Sequence, residues 1–161
     1  MKSQICALLV LASLVVLAAC ETTPLQPKHP NYGLSTVDEA ISRMPVLASG
    51  IRYHCERIDL AKAIADKDAA FRDIVADAQV LRKLSVGLLD VLRSAAHPDD
   101  PRALKLVDNV VEAANRLEAA GRAINFSSVN AAADDTSAAV DLLVSYLKEI
   151  RPALAKAKEK S

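Results

Sequence analysis

The stretch His97-Pro98-Asp99-Asp100-Pro101 is the clearest break in a chain that is otherwise periodic. Asp100 can cap a helix that follows it, and Pro101 suits the first position of that helix, where no backbone donor is needed. On both sides of this break, apolar residues recur at alternating spacings of four and three, which is typical of amphipathic helices. The sequence therefore predicts helices on either side of residues 97–101.

Four apolar stripes carry this periodicity, and each is long enough for one helix. They comprise Val37, Ile41, Met44, Ala48, Ile51, Cys55 and Ile58; Ile74, Ala78, Leu81, Ser85, Leu88, Leu92 and Ala95; Ala103, Val107, Val110, Ala114, Leu117, Gly121 and Ile124; and Val129, Ala133, Thr136, Val140, Leu143, Leu147, Ile150 and Leu154. One helix cannot bury such a stripe alone, and the connections are short. The stripes therefore predict an all-α fold, an antiparallel up-down four-helix bundle over residues 36–158.

The limits of the first two helices follow from local signals. Ser35 is the predicted N-cap of the first helix. Pro45 is predicted to kink or break that helix, because proline removes one backbone bond and clashes with the preceding turn. The stretch Ala65-Asp66-Lys67-Asp68 is the predicted connection to the second helix. One continuous helix is the alternative, since neither Gly nor Pro marks that point.

The second pair of helices is divided at residues 125–128, where Asn125-Phe126-Ser127-Ser128 is predicted to end the third helix. The fourth helix is expected to begin near Ser127 or Ser128, or later between Asp134 and Thr136. Pro152 is predicted to kink or end the fourth helix.

Residues 1–20 have the order of a secretory signal. Lys2 supplies the only charge, an apolar segment from Ile5 to Leu17 follows, and small residues come next. An apolar core of about 13 residues is short for a membrane span, which needs about 20. Cleavage of this segment is therefore favoured over its retention as a membrane span. An ordinary signal peptide cut after Ala19 and an uncleaved anchor are the alternatives to lipidation.

The residues Leu17-Ala18-Ala19-Cys20 resemble the lipobox of bacterial lipoproteins, in which an aliphatic residue and two small residues precede a cysteine. The resemblance covers only about the first 20 residues. It implies that residues 1–19 are removed as a signal peptide and that Cys20 and the new amino terminus are acylated. Because Glu21 rather than Asp follows the cysteine, the resemblance also implies a place in the cell envelope, at the outer membrane facing the periplasm.

Residues 20–35 are predicted to form the lipidated cysteine and an extended tether, because this segment contains three of the seven prolines. A proline-rich tether of roughly 15 residues could hold the domain up to about 45 Å from the membrane. Part of the segment lying along the domain surface is the alternative. The chain has 20 basic and 20 acidic residues, so no net field favours nucleic acid as a partner.

Cys55 is the only thiol expected in the mature chain, because Cys6 leaves with the signal and Cys20 is consumed by lipid. Since Cys55 falls on an apolar stripe, it is predicted to be a buried thiol or, alternatively, an intermolecular disulfide. A catalytic or metal-binding role is less favoured, because the neighbouring His54 points about 100° away on a helix.

No other motif indicates a cofactor or a metal site. None of the histidines, at positions 29, 54 and 97, belongs to a Glu-x-x-His motif of the kind found in di-iron bundles. The pairs Asp99-Asp100 and Asp134-Asp135 are interpreted as residues that cap the starts of helices. No catalytic, cofactor-binding or metal-binding residue is therefore predicted.

Apolar residues also occur outside the stripes. Most of them are expected to widen the core face of each helix, and the rest favour a partner protein or self-association. This second set comprises Val75, Val80, Leu84, Val86, Leu89, Val91, Leu104, Leu106, Val111, Leu142, Val144 and Tyr146. The resulting hypothesis is a lipid-anchored, non-enzymatic bundle that binds, scaffolds or helps to assemble another envelope protein. A small-ligand or lipid carrier with an apolar pocket is the alternative, and an enzyme or redox protein that depends on Cys55 is less favoured.

Overall fold

The computed structural model of this chain describes residues 32–94 and 101–159, which form four α-helices. These helices are α1 (Tyr32–Leu60), α2 (Ile64–Ser94), α3 (Pro101–Arg122) and α4 (Phe126–Glu159). Each helix packs against two others, in the cyclic order α1, α2, α3, α4. The described part of the chain is thus a four-helix bundle, which confirms the predicted fold class.

Long-range ion pairs show that α1 and α4 run in opposite directions. Arg52, late in α1, donates to Asp134, early in α4, at 3.0 Å. Conversely, Asp38, early in α1, accepts from Arg151, late in α4, at 3.1 Å. This antiparallel arrangement brings the turn between α1 and α2 and the turn between α3 and α4 to the same end of the bundle.

The four predicted stripes form the core. Their described members are buried or partly buried, with the single exception of Ile124, whose side chain is 59% exposed. The two hydroxyl-bearing members, Ser85 and Thr136, are buried and donate to the carbonyl oxygens of Leu81 and Ala132, at 2.9 and 2.6 Å. Bonds to the preceding turn satisfy these hydroxyls inside an apolar core.

The predicted limits of the first two helices need three corrections. The helix α1 begins at Tyr32 rather than after Ser35, so residues 32–35 are helical and not part of an extended tether. The predicted break at Pro45 is wrong, because α1 continues through it, with the buried Met44 and Ala48 packed on either side; a kink there stays a prediction. The connection to α2 lies at residues 61–63 rather than at Ala65–Asp68, and the alternative of one continuous helix is also wrong.

The second pair of helices also departs from the predicted limits. Pro101 begins α3, as expected, whereas the helix ends at Arg122, before the predicted stretch 125–128. The helix α4 begins at Phe126, so Asp134 and Thr136 lie inside it. Pro152 does not end α4, which runs on to Glu159.

Most of the second set of apolar residues packs against the core. Val91, Val144 and Tyr146 are buried, whereas Val86 and Leu142 are 51% and 60% exposed. The wide core face therefore accounts for most of the surplus apolar surface that the sequence shows along the helices.

The predicted signal peptide, Cys20 and the tether up to residue 31 lie outside the described residues, as do Asp99-Asp100. Among the helices described, none has an apolar stretch long enough to cross a membrane.

Candidate functional site

The candidate site lies at the end of the bundle where residues 61–63 join α1 to α2 and residues 123–125 join α3 to α4. We call this the turn end. The chain enters α1 at the opposite end, and α4 finishes there. Because α1 has 29 residues at about 1.5 Å each, the two ends are about 44 Å apart along it.

The turn between α3 and α4 is closed by backbone bonds that satisfy the last carbonyl groups of α3. The amide of Ile124 donates to Gly121 at 3.1 Å, and the amide of Asn125 donates to Ala120 at 3.2 Å. This pair of bonds is a Schellman motif with Ile124 at the position just past the helix. The side chain of Asn125 then accepts from the amide of Ser128 at 3.0 Å and caps α4.

Ile124 is an unusual residue for this position. Its φ is 52°, in the left-handed region, and it is the non-glycine residue with positive φ among those described. Glycine or asparagine normally occupies the position, because a Cβ atom there meets the following carbonyl oxygen at a cost of about 1–2 kcal/mol. A β-branched side chain is thus held in a strained conformation and is also exposed.

Exposed apolar side chains concentrate at the turn end. Leu60, Ile64 and Ile124 are 78%, 79% and 59% exposed, and all three flank the two turns. The other large apolar side chains that are exposed in the described residues lie singly along helices, at Val46, Tyr53, Val86 and Leu142. Scattered exposed apolar residues are ordinary, whereas a group of them at one place indicates a binding surface.

A cleft of about 270 Å³ opens between these side chains, and we call it the turn-end cleft. Its lining residues are Ile58, Asp59, Ile64, Lys67, Asp68, Phe71, Ile124 and Phe126. The chain contains two phenylalanines, and both line this cleft. The apolar floor of the cleft therefore uses the largest apolar side chains that the sequence provides.

A second cleft, of about 400 Å³, runs between α1 and α4 and shares Asp59 and Phe126 with the first. Its rim carries Glu56, Asp59 and Asp134 together with Arg52, which is bonded to Asp134. Neither Glu56 nor Asp59 forms an ion pair with another residue in the described ranges. The rim of this α1/α4 cleft is therefore acidic, with two carboxylates available to a ligand.

Cys55 lies at the α1/α4 cleft but is only 7% exposed and forms no disulfide. Burial raises the pKa of its thiol, and the nearby Asp134 carboxylate raises it further. A raised pKa lowers the fraction of thiolate, which is the nucleophilic form. A reaction of the Cys55 thiol, or a disulfide between Cys55 and another chain, would therefore require local opening between α1 and α4.

His54 faces the other side of α1, away from Cys55, as the helical geometry predicts. Its Nδ1 and Nε2 atoms lie 3.7 Å from Asp73 and 3.8 Å from Asp77 on α2. Burial raises the pKa of Asp77, an effect that His54 partly offsets. These contacts join α1 to α2. No group of three metal-ligating side chains converges within the described residues.

The interpretation of Asp134-Asp135 as a helix cap is wrong, because both residues lie inside α4 and face neighbouring helices. Asp134 pairs with Arg52 of α1, and Asp135 lies 3.4 Å from Arg116 of α3. The sequence does not predict the turn-end cleft, since Ile124 continues the third stripe and its spacing is that of a core residue. The prediction took Asn125 as the end of the third helix; interpreted instead as the N-cap of the fourth helix, Asn125 would have placed Ile124 in the turn.

Comparison with known proteins identifies no relative: no family model, curated protein or solved structure matches this chain.

Proposed function

We propose that this chain is a lipid-anchored protein of the bacterial cell envelope whose helical bundle binds or scaffolds another envelope protein. The observation that carries the binding role is the group of exposed apolar side chains at the turn end, Leu60, Ile64 and Ile124. Exposed apolar groups cost solvation free energy in a free monomer, and their retention at one place favours a partner that covers them.

The lipid anchor rests on the resemblance of residues 17–20 to a lipobox. An acylated Cys20 would confine the protein to one membrane leaflet, because several acyl chains together give stable anchoring. The chain between Cys20 and Tyr32 joins the bundle at the end opposite the turn end. The proposed arrangement therefore presents the apolar surface on the side of the bundle remote from the point of attachment.

Native mass spectrometry tests this proposal on protein extracted in mild detergent from its own membrane, without reductant. We expect a mass equal to residues 20–161 plus acyl groups, together with a second protein. An acylated monomer that carries a small molecule would instead favour the carrier alternative. A mass without acyl groups would contradict the lipid anchor.

A further inference from the structure

The turn end combines an apolar floor with unpaired negative charge, and this combination specifies the partner more closely than the proposed function does. The turn-end cleft, at about 270 Å³, is smaller than the roughly 300–1,000 Å³ typical of pockets that enclose small molecules. An open cleft of this size suits one or two apolar side chains of a protein. Ile64, Ile124 and Phe126 are placed to contact such an anchor.

Toward α1 and α4, the charge beside the apolar floor is acidic, whereas Arg72 and Arg122 line the adjoining cleft toward α2 and α3. Across the turn-end and α1/α4 clefts, the lining carboxylates are Glu56, Asp59, Asp68 and Asp134, against the two bases Arg52 and Lys67. Because Arg52 and Asp134 are bonded to each other, Glu56 and Asp59 remain as exposed carboxylates at the join between the two clefts. A cationic side chain placed next to the apolar anchor would meet both.

The chain's own tether is disfavoured as this occupant once the signal peptide has been removed, because it would have to be almost fully extended to reach the turn end. The 12 residues from Cys20 to Asn31 span at most about 43 Å when fully extended, whereas the turn end lies about 44 Å along α1 from Tyr32. A second copy of the chain is also disfavoured, since a symmetric contact between two turn ends would bring the acidic surface around Glu56 and Asp59 of both copies into one interface.

We propose that the turn end is a docking site for a basic-apolar segment of another protein, in which an apolar anchor enters the turn-end cleft and an adjacent Lys or Arg pairs with Asp59 and Glu56. This inference rests on the proposed function and names the chemistry of its partner. A buried apolar anchor supplies most of the binding free energy in such contacts, while charges at the rim increase the association rate and the specificity.

The test is photocrosslinking in the full chain, in cells that produce it, with p-benzoylphenylalanine replacing Ile64 or, as a matched exposed control, Leu142. Crosslinked peptides are sequenced by mass spectrometry. We expect Ile64 to crosslink to a different protein, at a segment with an apolar residue within a few positions of Lys or Arg. We expect Asp59→Lys to reduce that yield at least about fivefold, whereas Asp141→Lys, a charge reversal on the side of α4, should leave it unchanged.

Four results would overturn the inference. The first two are crosslinks from position 64 to a second copy of this chain and crosslinks to lipid alone. The third is a neutral or acidic target segment, with a crosslinking yield that Asp59→Lys does not change. The fourth is the absence of any product specific to position 64. If Leu142 crosslinks to an envelope protein while Ile64 does not, the inference fails but the proposed function stands. If this chain, recovered from the crosslinked product, carries no acyl groups, the lipid-anchor part of the proposed function fails while the docking site stands.

Discussion

Ile124 is the residue at which stability and binding oppose each other. Its φ of 52° costs backbone free energy that glycine would avoid, and its side chain remains 59% exposed. Residues held in sparsely populated backbone regions concentrate at functional sites. The proposed docking site gives a physical reason for isoleucine at this position, which is the apolar contact that it can make at the turn-end cleft.

The strain at Ile124 is measurable from two variants that both remove the side chain beyond Cβ. We expect Ile124→Gly to be more stable than Ile124→Ala by about 1 kcal/mol, because only alanine retains the Cβ atom that is unfavourable at positive φ. Both variants remove the same apolar atoms beyond Cβ, so that effect largely cancels when their stabilities are compared. Urea denaturation measures the difference, and equal stability of the two variants would contradict the assignment of strain.

Cys55 is predicted to be an unreactive thiol in the folded chain. It is 7% exposed, and burial raises its pKa, so little thiolate is present at neutral pH. We expect alkylation of Cys55 by iodoacetamide to be at least about tenfold slower than in the same protein unfolded in urea, as followed by mass spectrometry of the peptide that contains it. A rate that is the same in both states would instead identify an accessible, reactive cysteine.

At the scale of helices, Glu118 joins α2 to α3. Its carboxylate accepts from Gln79 Nε2 at 3.0 Å and from Arg122 Nη2 at 2.7 Å, and it lies 3.4 Å from Arg82 Nη1. The hydrogen bond from Gln79, followed by that from Arg122, lowers the pKa of Glu118, which keeps it ionised in the folded state. This network connects the two helices near the turn end.

A lowered pKa makes the contribution of Glu118 depend on pH. The contribution is fully present above the pKa of the unfolded chain and is lost as the pH falls through the lower pKa of the folded state. We expect Glu118→Gln to cost about 1 kcal/mol at pH 7 and to flatten the loss of stability that occurs as the pH falls below the ordinary pKa of a glutamate. Denaturation at several pH values measures both effects, and parallel pH profiles for the variant and the parent would contradict this role.

Close packing of α2 against α3 also predicts opposite effects at two glycines. A Cβ atom at Gly121 would lie 2.8 Å from Val75 Cγ2, whereas one at Gly87 would meet nothing within 4 Å. We expect Gly121→Ala to destabilise the bundle by about 1–3 kcal/mol and Gly87→Ala to stabilise it by about 0.5–1 kcal/mol. Thermal denaturation compares the two variants, and a stabilising Gly121→Ala would show that the helices are less closely packed.

The periodic stripes predicted the bundle well because burial follows side-chain spacing along a helix. Helix limits were harder to predict, since Ser35 and Pro45 carry strong local signals that tertiary packing overrides. The turn at residues 61–63 contains neither Gly nor Pro, and its position depends on where α1 and α2 can pack.

The candidate site was harder to predict from the sequence than the fold. Ile124 keeps the spacing of the third stripe, so only the left-handed backbone shows that it leaves the core. The turn-end cleft also unites residues from three helices and a turn, and Phe71 and Phe126 are distant in sequence. Cys55 was identified from its place on a stripe, because one face of a helix can be assigned from spacing alone.

For the whole molecule, the proposed function places an anchor at one end and a docking site at the other. Acylation of Cys20 would fix the protein at a membrane, while the antiparallel bundle separates the point of attachment from the turn end by about 44 Å. The two functions use different residues, so each can be removed without the other. Because of this separation, paired variants can test the docking site without disturbing the anchor.

The most direct measurement is native mass spectrometry of the membrane-extracted protein as two double variants, Ile64→Ser with Ile124→Ser at the turn end, and Val86→Ser with Leu142→Ser on the sides of the helices. We predict that both variants remain acylated and that only the turn-end variant loses the second protein. Retention of that protein by the turn-end variant, with its loss from the side variant, would contradict a docking site at the turn end.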